Sequence, residues 1–575
     1  SFTRASGSHV VDTVRGGIYT RWGTPLAVQL PSFDLGVDYG RLSDEGWQHR
    51  VAALTGRSVE ELRGRAARII RRVERIRRAV QRNTGLEHVR VVEQNQPHWV
   101  VRDVAPEVAA LVRAEPDRFP GVVCLENARR CHPNGTLAPH IVGEVGVLNP
   151  EEWREVCRED SHWTMRMPVS QIADRYKMDD RIGRSGMEAA READLRGRRG
   201  HVIKRLNFRI LRVEKQSRRL PPEPGREVYL TLRQDFQQAA NGALRRAAET
   251  PELGFKQGAL VILDVHTGAV LAAATYPSFD LATYRDDFPK LAADERRPLL
   301  FRPTQAALPT GSVYKVITAI AALEEGAIAP ATRFTCRGVQ RFANRPFHCA
   351  SRWGHGTLSL VPAIEHSCNI YFYNAGLGAG GEGLARWGRR FGLGVPSGVD
   401  LPFSRSGQVP NARATFQIIN LSIGQGRLLC TPVQVANAMA AIANGGRLYT
   451  PHFFHRATDA AGAVVERFEP EFAQVPVSEE NLRTVREGMR LVVESGTARR
   501  AGLDPFRVAG KTGTAELGDT ELKHAWFAGF APFEDPGIAF AVVNERVPGG
   551  HGGSHAAPIV AFALEEIWDE VERLP

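Results

Sequence analysis

Residues 308–326 read LPTGSVYKVITAIAALEEG. Pro309 and Gly311 break the chain, an apolar helix follows, and Gly326 ends it. Ser312 and Lys315 stand three residues apart, so they share one helical face. A serine hydroxyl is a poor nucleophile until a base lies beside it. A lysine serves as that base only when neutral, which requires desolvation or a neighbouring positive charge. The start of an apolar helix supplies both, because its own partial positive end disfavours a second charge there. Alone, Ser-x-x-Lys is weak: it recurs by chance in chains of this length, and Ser312 equally suits a helix N-cap.

Two further motifs change the weight. Ser367-Cys368-Asn369 follows in VPAIEHSCNIYFY, and Lys511-Thr512-Gly513-Thr514 in FRVAGKTGTAEL, between strand-like flanks. Working outward, EVYLTL (227–232) alternates like a strand and RQDFQQAANGALRRAAE reads as a long helix. GALVILDVHTGAVLAAATYP fits a buried hairpin turning at HTG. Near the end, the Lys511 strand is followed by HAWFAGFAPF and IAFAVVNERV as two more strands, then by the helix IVAFALEEIWDEVERL. Helices and strands at both ends of this region predict an α/β (α+β) domain with a central antiparallel sheet. In HAWFAGF, Trp526 and Phe527 read as core rather than as a substrate platform.

The first 220 residues differ in texture. They are Arg-rich, carry much of the net charge of +10, and end at a Pro-rich stretch, RRLPPEPGRE, that reads as a domain edge. We place an N-terminal pedestal at 1–221, with a head at roughly 48–145, and the catalytic domain at 222–575. RGRAARIIRRVERIRRAVQR (63–82) reads as a helix with Ile69, Ile70, Val73, Ile76 and Val80 on its apolar side. No nucleic-acid motif accompanies the charge, so no nucleic-acid partner is expected. No apolar run reaches the roughly 20 residues of a membrane-spanning helix. The seven cysteines are too sparse for a disulfide scaffold. Cys336, Cys349, His355 and Cys368 fall close together and have the Cys₃His composition of a structural zinc site. His348 offers itself in place of Cys349, and buried thiols or a disulfide fit the same spacing.

The three motifs occur in the order and approximate spacing of the penicillin-recognising serine enzymes. The resemblance extends over nearly the whole chain. Arg15-Gly16-Gly17-Ile18, with Arg21, Gly23, Leu26 and Ala27, is similar to the juxtamembrane signature of class B penicillin-binding proteins; Thr20 departs from it, standing where an aspartate is usual. FPGV (119–122), HIVG (140–143), IGRSGMEAA (182–190) and LRGRRG (195–200) resemble that class's pedestal, and IGQG (423–426), Thr431-Pro432 and GGSHAAP (552–558) its transpeptidase domain. GVDLP (398–402), FPGV and the Cys/His insert resemble the elongation-specific penicillin-binding protein 2 branch.

The resemblance implies a peptidoglycan D,D-transpeptidase that binds β-lactams covalently. It implies Ser312 as nucleophile, Lys315 as its base, and Ser367 with Lys511 relaying a proton to the departing D-alanine. Asn369 holds the donor amide and positions Lys315; Thr512, Gly513 and Thr514 form the carboxylate-binding strand. The N–H groups of Ser312 and Thr514 make the oxyanion hole. Glu188 belongs to the pedestal and is excluded from chemistry, while His555 either lines the cleft or is a polar loop residue. No catalytic cofactor is implied, and one structural Zn²⁺ is, on Cys336, Cys349, His355 and Cys368. Implied partners are stem peptides, a RodA-type SEDS glycosyltransferase and an MreC-like scaffold. The implied place is the periplasmic face of the inner membrane, through an N-terminal anchor upstream of Ser1. Competing expectations are a division-specific class B enzyme, a D,D-carboxypeptidase or β-lactamase, and a non-catalytic penicillin sensor or scaffold.

Overall fold

The computed structural model describes residues 5–11, 13–85, 88–149, 151–152, 176, 180–207, 212–213, 218–342, 344–518 and 520–574. Cys157 lies outside them. The chain divides into two compact units, Val28–Cys131 and the combination of Ser1–Ala27 with His132–Pro575.

In the smaller unit, the strand Pro25–Asp38 pairs antiparallel with Pro97–Val104 and with Val122–Cys131. Helices Trp47–Thr55 and Val59–Thr84 accompany them, and Leu35, Val37, Trp47, Val51, Leu62, Val100 and Phe119 form one buried cluster. The Arg-rich helix forms where its periodicity predicts. Ser58 caps it by accepting from Glu61 N–H at 3.1 Å, Glu60 and Glu61 favour its positive end, and Gly85 closes it at φ 69°. Val73 is buried, Ile69 and Ile70 pack against the core, and the arginines ride the outer side.

The larger unit is built on a five-stranded antiparallel sheet in the order Val270–Tyr276, Gly258–Asp264, Ile538–Pro548, Leu522–Ala531, Ala509–Glu516. The strands are buried almost without interruption, so both faces are covered. Helices Gln234–Glu249 and Ala557–Val571 pack on each other and on the sheet, and Pro432–Ala443 packs across the central strands. Trp526 and Phe527 are fully buried, as expected of core residues. Ala509–Glu516, which carries Lys511, is an edge strand.

RRLPPEPGRE is tied down: Gly225 N–H donates to Val14 O and Arg226 N–H to Asp194 O. The larger compact unit runs continuously through this stretch. Close by, Glu188 is fully buried and paired with Arg15, whose guanidinium also reaches Glu192 at 2.7 Å. That is a structural role, consistent with its exclusion from chemistry. Thr20 is buried and accepts from Thr24 N–H at 3.1 Å, closing the turn before Pro25.

Candidate active site

The sequence around Ser312 forms a tight 3₁₀ turn, Gly311–Tyr314, before the α-helix Lys315–Glu324. Ser312 makes no capping hydrogen bond, so the helix-cap reading of this serine fails. Its side chain is half-buried. Gly311, at φ +55°, lies where an added Cβ would meet Thr514 O at 2.3 Å. A Cβ on Gly513 would meet Thr310 O at 2.4 Å, and one on Gly424 would meet Gly311 O at 1.9 Å. These glycines let three backbones, the nucleophile turn, the Lys511 strand and the 423–426 turn, touch directly. The contact is fixed by Gly311 N–H donating to Gly424 O at 3.0 Å and Gln425 Nε2 to Thr514 O at 3.3 Å. Behind it, Thr318 Oγ1 donates to Ser422 O and Tyr314 OH to Leu384 O, both at 2.8 Å. Upstream, buried Arg302 pairs with Glu545 at 2.8 Å and pins the approach to the nucleophile onto a central strand.

Lys315 is completely buried. Its Nζ donates to Ser367 O at 2.7 Å, Ser367 Oγ at 3.1 Å and Asn369 Oδ1 at 2.7 Å. Burial pushes its ammonium down to about 8 from the ordinary 10.5, against the opposing pull of Cys349 and Cys368. Lys511, equally buried, lies well below its ordinary value through burial and then through the charge of Lys315; its Nζ donates to Thr512 O at 3.2 Å. The structure thus joins Lys315, Ser367 and Asn369 by hydrogen bonds. Among the described residues none joins Ser312 Oγ to Lys315 Nζ. Such bonds are commonly long before substrate binds.

Ser367 adopts φ +53°, a left-handed conformation that costs a non-glycine residue of order 1 kcal/mol or more. It follows the helix Leu360–Glu365 and precedes Asn369–Arg390, and this reversal presents its hydroxyl to Lys315. Thr512 Oγ1 shares a 2.7 Å hydrogen bond with Thr497 Oγ1, and Gly552 N–H reaches Thr514 Oγ1 at 3.4 Å. His555 ends the short helix Gly552–His555; its Nδ1 accepts from His551 N–H at 3.2 Å and lies 2.7 Å from Ser554 Oγ. Sequence reasoning missed Thr497 and the role of Gln425. Thr497 sits in no motif and meets Thr512 only through the fold. Gln425 was visible in IGQG as a match without a function.

The insert folds as two small antiparallel strand pairs: Phe334–Cys336 pairs with Gly356–Leu358, and between them in the chain lies the hairpin of Val339–Phe342 with Arg345–His348. It brings Cys336, Cys349, His355 and Cys368 together, with their ligand atoms all within 4.8 Å. His355 Nδ1 lies 3.6 Å from Cys336 Sγ and 3.5 Å from Cys349 Sγ. Metal–ligand bonds of roughly 2.0–2.3 Å in a tetrahedron place ligand atoms about 3.5 Å apart, so these side chains fit a zinc ion. Cys349 is held below the ordinary thiol range, first by its hydrogen bond with Cys368, which is pushed up in turn. The six described cysteines are free thiols. His348 lies outside the cluster but links it to the cleft, its carbonyl accepting from Asn369 Nδ2 at 3.1 Å and Tyr373 OH at 3.2 Å.

Known proteins similar to this chain fall in one family. The penicillin binding protein transpeptidase domain matches residues 258–565, and the penicillin-binding protein dimerisation domain residues 11–230. Peptidoglycan D,D-transpeptidase MrdA of Acinetobacter baumannii is 31% identical over 473 residues, covering 76% of this chain and 66% of that protein. MrdA of Haemophilus influenzae is 28% identical over 614 residues, covering 100% of this chain and 87% of that one. Among solved structures, penicillin-binding protein 2 in complex with MreC from Helicobacter pylori superposes with a TM-score of 0.78 at 24% identity, covering 99% of both chains. A chain of a peptidoglycan synthase complex that coordinates polymerization and crosslinking does so with a TM-score of 0.72 at 27% identity, covering 99% of this chain and 92% of that one. Among the described residues no helix is long and apolar enough to cross a membrane.

Proposed function

The chain belongs to the class B penicillin-binding proteins, of the penicillin-binding protein 2 type, and is a peptidoglycan D,D-transpeptidase of cell elongation; we propose that Ser312 is its nucleophile and Lys315 the base that activates it. The observation that carries this assignment is the fully buried Lys315 ammonium, held by Ser367 and Asn369 one helical turn from Ser312. Burial makes the neutral amine accessible near neutral pH. Ser312 Oγ attacks the carbonyl between the terminal D-alanines as Lys315 takes its proton. The oxyanion is met by the N–H groups of Ser312 and Thr514, which the glycine contacts hold side by side. Ser367, bonded to Lys315, passes a proton toward the leaving D-alanine, with Lys511 alongside. Lys511, Thr512, Gly513 and Thr514 offer the substrate carboxylate an edge strand, two hydroxyls and the buried Lys511 amine. The amine of a second stem peptide then displaces Ser312 and forms the cross-link.

Cys336, Cys349, His355 and Cys368 hold one zinc ion with no open position; bound there, it supplies structure and no chemistry to the reaction. Residues 1–221 act as the pedestal and 222–575 as the catalytic domain, on the periplasmic face of the inner membrane. A RodA-type polymerase and an MreC-like scaffold are the partners, a reading supported by the 27% identical chain from a synthase complex. The test is covalent labelling. After incubation with a fluorescent penicillin, intact mass rises by one ligand, and peptide mapping places the adduct in the peptide containing LPTGSVYK. An adduct on any other residue overturns the assignment.

A further inference from the structure

A four-stranded portion of another sheet in the larger unit carries a row of side chains that the transpeptidase chemistry does not use. Tyr19 is in register with Tyr229, Tyr229 with Arg456, and Arg456 with Arg467, across the strands Ile18–Tyr19, Glu227–Leu230, Phe454–Thr458 and Val464–Arg467. Register partners point to the same side of a sheet. The neighbouring row, Ile18, Val228 and Ala457, is fully buried, so the tyrosines and arginines face outward.

The two tyrosine rings stack at 5.2 Å, and the Arg456 guanidinium lies 4.0 Å from the Tyr229 ring. Arg467 stands directly opposite Arg456. Like charges directly opposed across a sheet destabilise it. A third guanidinium, that of Arg21, acts on them and rests against Trp22, a residue that is 69% exposed. The effect reaches His455, held down to about 4 first by burial and then by Arg21, Arg456 and Arg467.

Two of the nearby carboxylates are engaged elsewhere: Glu227 accepts from Gly17 N–H at 3.0 Å and Glu466 pairs with Arg191 at 2.6 Å. Asp264 accepts from His266 and Thr267 N–H through Oδ1 and is also a countercharge to Arg21. Among the described residues, Arg21, Arg456 and Arg467 form neither an ion pair nor a hydrogen bond through their guanidinium groups.

We propose that this face is a binding site for a phosphate-type oxyanion, held between the forks of Arg456 and Arg467 with Arg21 beside them. Planar guanidinium forks bind such oxyanions through paired, charge-assisted hydrogen bonds. An anion between Arg456 and Arg467 also converts their repulsion into two attractions. Laying Arg456 along Tyr229 fixes its plane in advance, so less freedom is lost on binding. A lipid headgroup and soluble phosphate share this chemistry. Trp22, an exposed ring of the kind that settles at a water–lipid boundary, makes a lipid arm of the test necessary.

The test uses the full chain and the double variant Arg456→Gln/Arg467→Gln, with penicillin acylation as the check on folding, since neither arginine belongs to the catalytic site. Calorimetric melting compares inorganic phosphate with chloride at equal ionic strength. Co-sedimentation compares phosphatidylglycerol vesicles with phosphatidylcholine vesicles. Phosphate raises the melting temperature of the wild type and not of the double variant, with apparent affinity weakened by about tenfold or more. Arginine-dependent sedimentation with phosphatidylglycerol identifies a lipid headgroup as the source; a response to phosphate alone identifies a soluble anion. Arg467→Gln alone melts no lower than the wild type in phosphate-free buffer, because it removes an opposed charge. Indifference of the wild type to both probes, an equal response from the double variant, or arginine-dependent binding of polyglutamate only, overturns the proposal.

Discussion

At the scale of single residues, the site turns on two buried lysines with no carboxylate partner. Among the described residues neither Lys315 nor Lys511 forms an ion pair, and each is fully buried. Such burial favours the neutral amine, which a base requires and an ion pair would have suppressed. The acylation rate therefore rises about tenfold per pH unit below the Lys315 value of about 8 and levels off above it. Stopped-flow acylation across pH 6–9.5 checks this; a flat profile removes Lys315 as the titrating base. Stability follows the same sign. Between the folded value of about 8 and the ordinary 10.5 the unfolded chain binds more protons, so this group's contribution to stability rises with pH there. Below about pH 8 its burial cost is fully present. Lys315→Ala lowers acylation by about 10²–10⁴-fold, the usual cost of losing a positioned base. It leaves the fold intact, which circular dichroism verifies. Wild-type acylation by that folded variant assigns the base elsewhere.

At the scale of elements, what matters is how closely three backbones approach. Gly513→Ala drives a methyl to 2.4 Å from Thr310 O and must push the nucleophile turn off the strand that carries Thr514. We expect acylation to fall at least tenfold through loss of oxyanion geometry, with the melting temperature only moderately lower; acylation unchanged at the wild-type rate refutes the shared oxyanion hole. The insert acts on the opposite wall. Cys336→Ser loses about one equivalent of zinc in metal analysis, melts earlier, and slows acylation, because Asn369 is held from behind by His348 O and sits next to Cys368. Full acylation in a metal-free Cys336→Ser protein uncouples the insert from the cleft. Much of this level was legible in the sequence. The apolar helix after Ser312, the strands around Lys511, the hairpin turning at HTG and the Arg-rich helix all carry their own period, caps or breakers. What was not legible is long-range contact. Nothing local tells Thr497 that it will bond Thr512, and nothing in IGQG says that Gly424 will bind the N–H of Gly311. The left-handed Ser367 is equally invisible, since only the surrounding fold holds a serine there.

At the scale of the whole molecule, the two ends of the smaller compact unit lie side by side. Val28 and Cys131, the two ends of the smaller compact unit, are register partners on antiparallel strands. Opposed residues on such strands lie roughly 5 Å apart, so a two- or three-residue turn suffices to join Ala27 to His132. The unit has its own core, centred on Trp47, Leu35 and Val100, and carries none of the three catalytic motifs. Every hydrogen bond that positions Lys315, Ser367, Asn369 and Thr512 is made within residues 132–575. Excision of 28–131 should therefore leave the rate of penicillin acylation within about twofold of the full chain. If the Arg-rich pedestal region docks the membrane partner, the same excision removes co-purification with a RodA-type polymerase. The two measurements separate the roles. An excised chain that acylates normally and still captures the polymerase as strongly as the full chain moves the docking surface out of this unit. Loss of acylation together with docking would mean instead that the catalytic unit depends on 28–131 for its fold, which a melting curve of the excised protein would reveal as a lowered transition.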